Sequence, residues 1–152
     1  MKYSFAFLLV FFIAFFFLSS RSPLNAGSLI ERLKGRILLQ VEDNGEAWYV
    51  NPGDNKRYYM GRPSDAFSLM RSFGVGITNK DLAKIQTKGS SSNSGIDKNF
   101  SEKQKGKILL QVESHGEAWY VYPIDGLRYY LGRPDDAFSI MRQLGLGITN
   151  KD

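Results

Sequence analysis

The sequence predicts an α+β protein: two small tandem β-β-β-α repeat units joined by a flexible linker and preceded by an N-terminal signal peptide. Three observations carry that expectation. First, a shift of 71 residues lays Gly35–Asp81 on Gly106–Asp152 with 34 of 47 positions identical, and an internal repeat overrides other topology guesses. Second, each copy reads as short β-compatible runs split by turn signals, then an amphipathic stretch of helical period. Third, the residues between the copies have the composition of a linker. The predicted boundaries are 1–26 for the leader, 29–85 for the first unit, 86–105 for the linker and 106–152 for the second unit.

The leader opens with Lys2 and continues as an unbroken apolar run, Phe5–Leu18. A helix of that length covers roughly 21 Å, short of the ~30 Å hydrocarbon core of a bilayer. A basic start, an apolar core of this length and small residues after it describe a secretory signal peptide, with Ala26 at the −1 position. The alternative is an uncleaved N-terminal anchor. Both place the rest of the chain outside the cytoplasm, in an exported, cell-envelope-associated or extracellular location.

In the first unit, Arg36–Glu42 is the first strand. Asp43–Glu46 is a turn, where Asn44–Gly45 supplies positive φ at low cost. Ala47–Val50 returns, Asn51–Lys56 turns again with Pro and Gly, and Arg57–Met60 is the third strand. The period then changes. Pro63 suits the first position of a helix, Asp65 its first turn and Arg71 its last; Gly74 is expected to cap it in the left-handed conformation. Ala66, Phe67, Leu69, Met70 and Phe73 share one side, so the helix must lie on the sheet. Ile77 closes behind it, and Thr78–Asp81 starts a further helical turn carrying Leu82 and Ile85. The second copy repeats this plan as far as the helix start and ends at Asp152. The linker's Gly/Ser/Asn centre, Gly89–Gly95, has nothing to bury.

Composition excludes several functions. The 152 residues contain no cysteine, which removes disulfides, thiolate nucleophiles and Cys-ligated metals. The formal charge of +5 lies outside the repeats. Residues 35–81 hold six basic and six acidic side chains, and residues 106–152 hold five and six. Neither unit has the electrostatic footprint of a nucleic-acid binder. The single histidine, His115, occupies a turn where the first copy has Asn44. Asp54, Asp125, Asp65 and Asp136 recur, each with a local role in a turn or at a helix start. No calcium loop, phosphate loop or His/Cys cluster is present. Glu42 with Glu46 flanks a turn rather than a cleft. We therefore expect no enzymatic activity, no metal and no cofactor.

The aromatic residues carry what functional signal there is. Gly45–Val50 and Gly116–Val121 both read GEAWYV, and both third strands begin Arg-Tyr-Tyr. Adjacent strand residues point to opposite faces. Ile37, Leu39 and Val41 are expected to face the helix. By bulk, Trp48, Val50, Tyr58 and Met60 join them. The opposite face then shows Leu38, Gln40, Tyr49, Arg57 and Tyr59, and in the second copy Leu109, Gln111, Tyr120, Arg128 and Tyr130. Such a face is either a stacking platform for sugar rings or a packing surface between units or against a partner. The candidate ligand-binding residues are Gln40, Tyr49, Arg57, Tyr59, Gln111, Tyr120, Arg128 and Tyr130.

The residues KGKILLQVE, GEAWYV, RYYLGRP and LGLGITN resemble a small repeat of exported bacterial envelope and surface proteins. The resemblance covers both units and implies a non-catalytic surface module. A looser similarity to aromatic cell-wall repeats that bind choline transfers no site, because those lack this unit's helix. The expected function is an exported, non-enzymatic envelope-associated binding module, weakly bivalent for envelope glycan through its aromatic faces. The alternative is a structural or protein–protein interaction element whose aromatic faces pack on each other or on a partner protein. Contact with membrane is expected only through the N-terminal segment, if it is retained.

Overall fold

The computed structural model describes residues 26–42 and 44–151; the apolar run and the cleavage signal before Ala26 lie outside these residues. The fold is α+β. The elements follow the order α1 (Ala26–Leu33), β1 (Ile37–Gln40), β2 (Ala47–Val50), β3 (Arg57–Tyr59), α2 (Pro63–Phe73), β4 (Val75–Ile77) and α3 (Asn79–Leu82). They continue as α4 (Lys98–Gln104), β5 (Ile108–Gln111), β6 (Ala118–Val121), β7 (Arg128–Tyr130), α5 (Pro134–Leu144) and β8 (Leu146–Ile148).

Two four-stranded sheets result, ordered β3-β2-β1-β8 and β4-β5-β6-β7. Each contains one antiparallel meander from its own repeat and one strand taken from the other repeat. β8 pairs in parallel with β1 (Leu39↔Gly147), and β4 pairs in parallel with β5 (Gly76↔Leu110). The separate modules expected from the repeat are therefore interlocked: each copy lends its last strand to its neighbour's sheet.

The glycine after each long helix permits the crossing. Gly74 was expected in the left-handed region, but its φ of −63° and ψ of 127° are extended, and Gly145 matches it. A Cβ on Gly74 would stand 2.4 Å from Leu110 Cγ, and one on Gly145 would stand 2.4 Å from Leu39 Cγ. Glycine is needed here for close approach to the other half, not for a helix cap.

One core serves both halves. Ile37, Tyr49 and Met70 are buried in it together with Ile108, Tyr120 and Met141, and α2 packs against α5. Phe67, Leu69 and Phe73 pack against the same core, as the helical pattern predicts. At its centre the backbones of Gly35 and Gly106 touch. A Cβ on Gly35 would lie 2.2 Å from Gly106 Cα, and both glycines have positive φ, 68° and 78°.

The faces of the second strand are the reverse of those expected. Ladder partners Leu38↔Trp48↔Tyr59 and Ile37↔Tyr49↔Tyr58 place Tyr49, not Trp48, on the core side. Tyr58 does face the helix, with its ring centroid 4.4 Å from that of Phe73. Val41, expected to be buried, is exposed beyond the end of β1.

The connector is also more ordered than its composition suggests. Residues 98–104 of the expected flexible linker are helix α4, capped by Asp97 Oδ1, which accepts from Phe100 N at 3.0 Å. Before it, residues 86–88 run beside β7: Arg128 N donates to Gln86 O (2.9 Å) and Lys88 N to Arg128 O (3.0 Å). Leu82, Ile85 and Phe100 then cover the outer face of β5 and β6 over Leu109 and Val121. The Gly/Ser centre could not have announced this, because the apolar anchors lie on either side of it.

Candidate functional site

The repeated aromatic residues divide into an inner pair and two outer clusters. The inner pair is Tyr49 and Tyr120, which are 2% and 1% exposed. Tyr49 Oη donates to Gly106 O (2.7 Å) and Tyr120 Oη to Gly35 O (2.6 Å), so each phenol bridges to the opposite half. A buried hydroxyl needs such a partner. Both residues were expected on an open ligand-binding face, and the structure overturns that placement. The cause is a change of side in the second strand.

Burial pushes the phenol pKa of Tyr49 up, and the Asp54 carboxylate adds to the rise. Burial likewise raises Tyr120 well above its ordinary value. Tyr129 is raised in the same direction by burial and by its hydrogen bond to Asp125. An unfolded tyrosine titrates near pH ~10. A folded-state pKa above that value gives a contribution to stability that is complete below about pH 10 and is lost as pH rises through the folded pKa. We expect the melting temperature to fall on alkaline titration above about pH 10. Tyr49→Phe with Tyr120→Phe should flatten that fall while lowering stability at neutral pH by about 1 kcal/mol per lost hydrogen bond. Melts recorded across that range check both effects; a slope unchanged by the double substitution would reject the assignment.

Each outer cluster is a cation–aromatic stack on the sheet surface. The Arg57 guanidinium stands 5.0 Å from the Trp48 ring centroid, and Tyr59 packs beside Trp48 at 5.0 Å and 51°. Arg128 stands 4.8 Å from Trp119, with Tyr130 at 5.0 Å and 51°. Tyr59 and Tyr130 are 48% and 49% exposed. These two clusters hold four of the eight expected site residues, together with Trp48 and Trp119, which had been expected in the core.

The two glutamines have other work. Gln111 Oε1 accepts from Trp119 Nε1 (3.1 Å), and Gln111 Nε2 donates to Asn79 Oδ1 (2.6 Å). Gln40 Nε2 donates to Asn150 Oδ1. Glu113 accepts from Asn79 N (2.8 Å) and Glu42 from Asn150 N (2.7 Å). Asn79 and Asn150 lie two residues past the ends of the exchanged strands, so these side chains pin each borrowed strand to its host sheet. Sequence reasoning placed Gln40 and Gln111 at a ligand; the repeat of Glu42 and Asn79 at matching positions was the signal of a structural pairing. Asp54 and Asp125 have the local turn role expected of them, accepting from Lys56 N (3.0 Å) and Leu127 N (2.9 Å).

The two ends of the molecule differ. Over the second sheet, Arg128 Nη1 donates to Leu82 O (2.5 Å) and Nε to Thr87 Oγ1 (2.7 Å) beneath the Leu82–Ile85 cover. Over the first sheet the corresponding surface is a groove of about 390 Å³. Its floor is Leu38, Val50 and Ile148, its wall is Leu29, Ile30 and Leu33 of α1, and Arg57 stands at its rim. Sequence reasoning missed this groove. The signal available was Leu82 and Ile85, an apolar pair just past the matched repeat that covers the other sheet.

Among the described residues there is no group of His, Cys, Asp and Glu side chains that could hold a metal ion. No helix among them is long and apolar enough to cross a membrane. No family model, curated protein or solved structure matches the chain.

Proposed function

We propose that this chain is an exported, non-enzymatic interaction element of the bacterial envelope, whose tandem β-β-β-α repeats build one scaffold that docks a partner protein. The observation that carries this reading is the apolar groove over the first sheet, beside an equivalent face that the chain covers itself. A concave, mostly apolar cleft with a few polar groups at its rim is the common form of a binding site. The inner tyrosines favour the same reading, because they are spent in packing the halves together. Export rests on the leader, and the envelope location on the resemblance of the repeat.

A second reading, binding of envelope glycan, is favoured by one observation. Tyr59 and Tyr130 are half-exposed beside Trp48 and Trp119, with Arg57 and Arg128 at hand. Co-sedimentation of the full-length chain, in mild detergent, with envelope sacculi separates the two. The interaction reading expects binding that protease treatment of the sacculi abolishes and that Tyr59→Ala with Tyr130→Ala leaves in place. Binding that survives on protein-free sacculi and is lost in the tyrosine variant would reject it in favour of glycan.

A further inference from the structure

The chain itself displays what the open groove is shaped to receive. Every lining position has a counterpart 71 residues away at the covered end: Leu38 matches Leu109, Val50 matches Val121, and Arg57 matches Arg128. On the covered face lies Thr78–Lys88. Thr78 Oγ1 caps a short helical turn by accepting from Asp81 N (3.1 Å). Leu82 and Ile85, three residues apart, enter the apolar surface and are 3% and 0% exposed. Gln86–Lys88 then extend alongside the outer edge of β7 and hydrogen-bond to both backbone groups of Arg128. Arg128 completes the seat through its bonds to Leu82 O and Thr87 Oγ1.

At the open end the floor is equally apolar, and β3 forms the edge of its sheet. No segment runs beside Arg57 there among the described residues as Gln86–Lys88 runs beside Arg128. The wall differs throughout: Leu29, Ile30, Arg32 and Leu33 stand where the covered end has Phe100, Ser101, Lys103 and Gln104, and Ile30 is 40% exposed against 7% for Ser101. That leaves more apolar surface to cover. Arg32 and Arg57 line the groove, and cations there suit the carbonyl end of a helical turn, as Arg128 suits Leu82 O.

We propose that the groove takes, from a partner protein, a segment with the chemistry of Thr78–Lys88: a hydroxyl-capped helical turn with two aliphatic side chains three residues apart, then an extended stretch that adds a strand beside Arg57. This combines helix-in-groove and strand-addition recognition. It rests on the interaction reading above and names the partner's chemistry.

The test is a titration of the full-length chain, in mild detergent, with a synthetic peptide of residues 78–88, TNKDLAKIQTK, followed by amide shifts. Saturable shifts should concentrate at Leu38, Val50, Arg57 and Ile148 and spare Leu109 and Val121. A peptide carrying Leu82→Asp and Ile85→Asp should not bind. Ile30→Glu in the protein, an exposed position, should weaken binding by roughly tenfold or more without lowering the melting temperature. No saturable shift, shifts centred on Leu109 and Val121, or equal binding of the aspartate peptide would each overturn the proposal. If the peptide fails while protease-sensitive envelope binding persists, only the segment's chemistry is wrong. If the peptide binds but envelope binding resists protease, the interaction reading fails and the groove's preference stands.

Discussion

A chain of residues 26–97 made alone is expected to be a dimer, and not a folded monomer. In the intact protein the first sheet ends in β8, which comes from the other repeat, while among the described residues β4 pairs with β5 alone. Separation leaves both edges open and strips Tyr49 of its acceptor, Gly106 O. Each buried polar group left unpaired costs about 1–3 kcal/mol, against a total stability of about 5–15 kcal/mol for an ordinary domain. The half also loses half of a core that is already small. A second copy of the same half repairs every loss, because Leu38 matches Leu109 and Gly35 matches Gly106 in the repeat. Light scattering should report a dimer whose melting temperature rises with concentration. A dispersed monomer that melts independently of concentration would show that one repeat folds by itself.

Gly35→Ala and Gly106→Ala are expected to be the most damaging single-methyl substitutions in the protein. The added Cβ meets backbone and not a flexible side chain: 2.2 Å from Gly106 Cα in one case, 2.6 Å from Gly35 Cα in the other. Positive φ adds strain for any L-residue, about 1–2 kcal/mol. Overpacking of a tight contact adds about 1–3 kcal/mol, so the sum is roughly 2–5 kcal/mol. Gly45→Ala separates the two causes. Its φ is 73°, yet nothing lies within 4 Å of the added carbon. It should show the conformational cost alone. Denaturant melts of the three variants check this, and equal losses in all three would mean that the halves do not touch at the glycines.

Much of the fold was legible because the relevant forces are local. The span of α2 follows from Pro63 and the spacing of Ala66, Met70 and Phe73, and the turn at Thr78 follows from its capping side chain. The side on which Trp48 lies did not follow, and the reason is parity. Asn44–Gly45 read as a two-residue turn would set Val41 opposite Trp48. In the structure the last ladder pair is Leu39↔Ala47, so the connection is longer. Trp48 thus faces Leu38 and not Val41, and a shift of register by an odd number of residues sends every side chain of β2 to the other face. Bulk then pointed the wrong way, because Tyr49 carries a hydroxyl that reaches a carbonyl across the molecule, whereas Trp48 is served by Arg57 at the surface.

The exchange of strands was not legible for a different reason. Two near-identical repeats present near-identical partners: Val75 could pair with Leu38 or with Leu109 on the same chemistry. Only the short path from α2 into β4, through an extended Gly74 pressed against Leu110, selects the other half. The candidate site followed from that choice. Exchange buries Tyr49 and Tyr120, employs Gln40 and Gln111 at the borrowed strands, and leaves Trp48, Arg57 and Tyr59 at the surface beside a groove. The linker misled for the same reason, since its ordered parts are set by contacts with the second repeat.

The absence of cysteine makes the exchange directly measurable by engineered disulfides. A Cβ at position 147 would lie 3.1 Å from Val41 Cγ1, and one at position 76 would lie 3.0 Å from Val112 Cγ1. All four positions are exposed. Val41→Cys with Gly147→Cys should therefore oxidise to an intramolecular disulfide, as should Gly76→Cys with Val112→Cys. Val41→Cys with Gly76→Cys tests pairing within one repeat and should stay reduced as a monomer under the same mild oxidation. Intact mass and thiol counting of the three variants give the answer. Rapid bridging of positions 41 and 147 and of 76 and 112 is the result that interlocked repeats require, and bridging of 41 to 76 in place of 147 would contradict them.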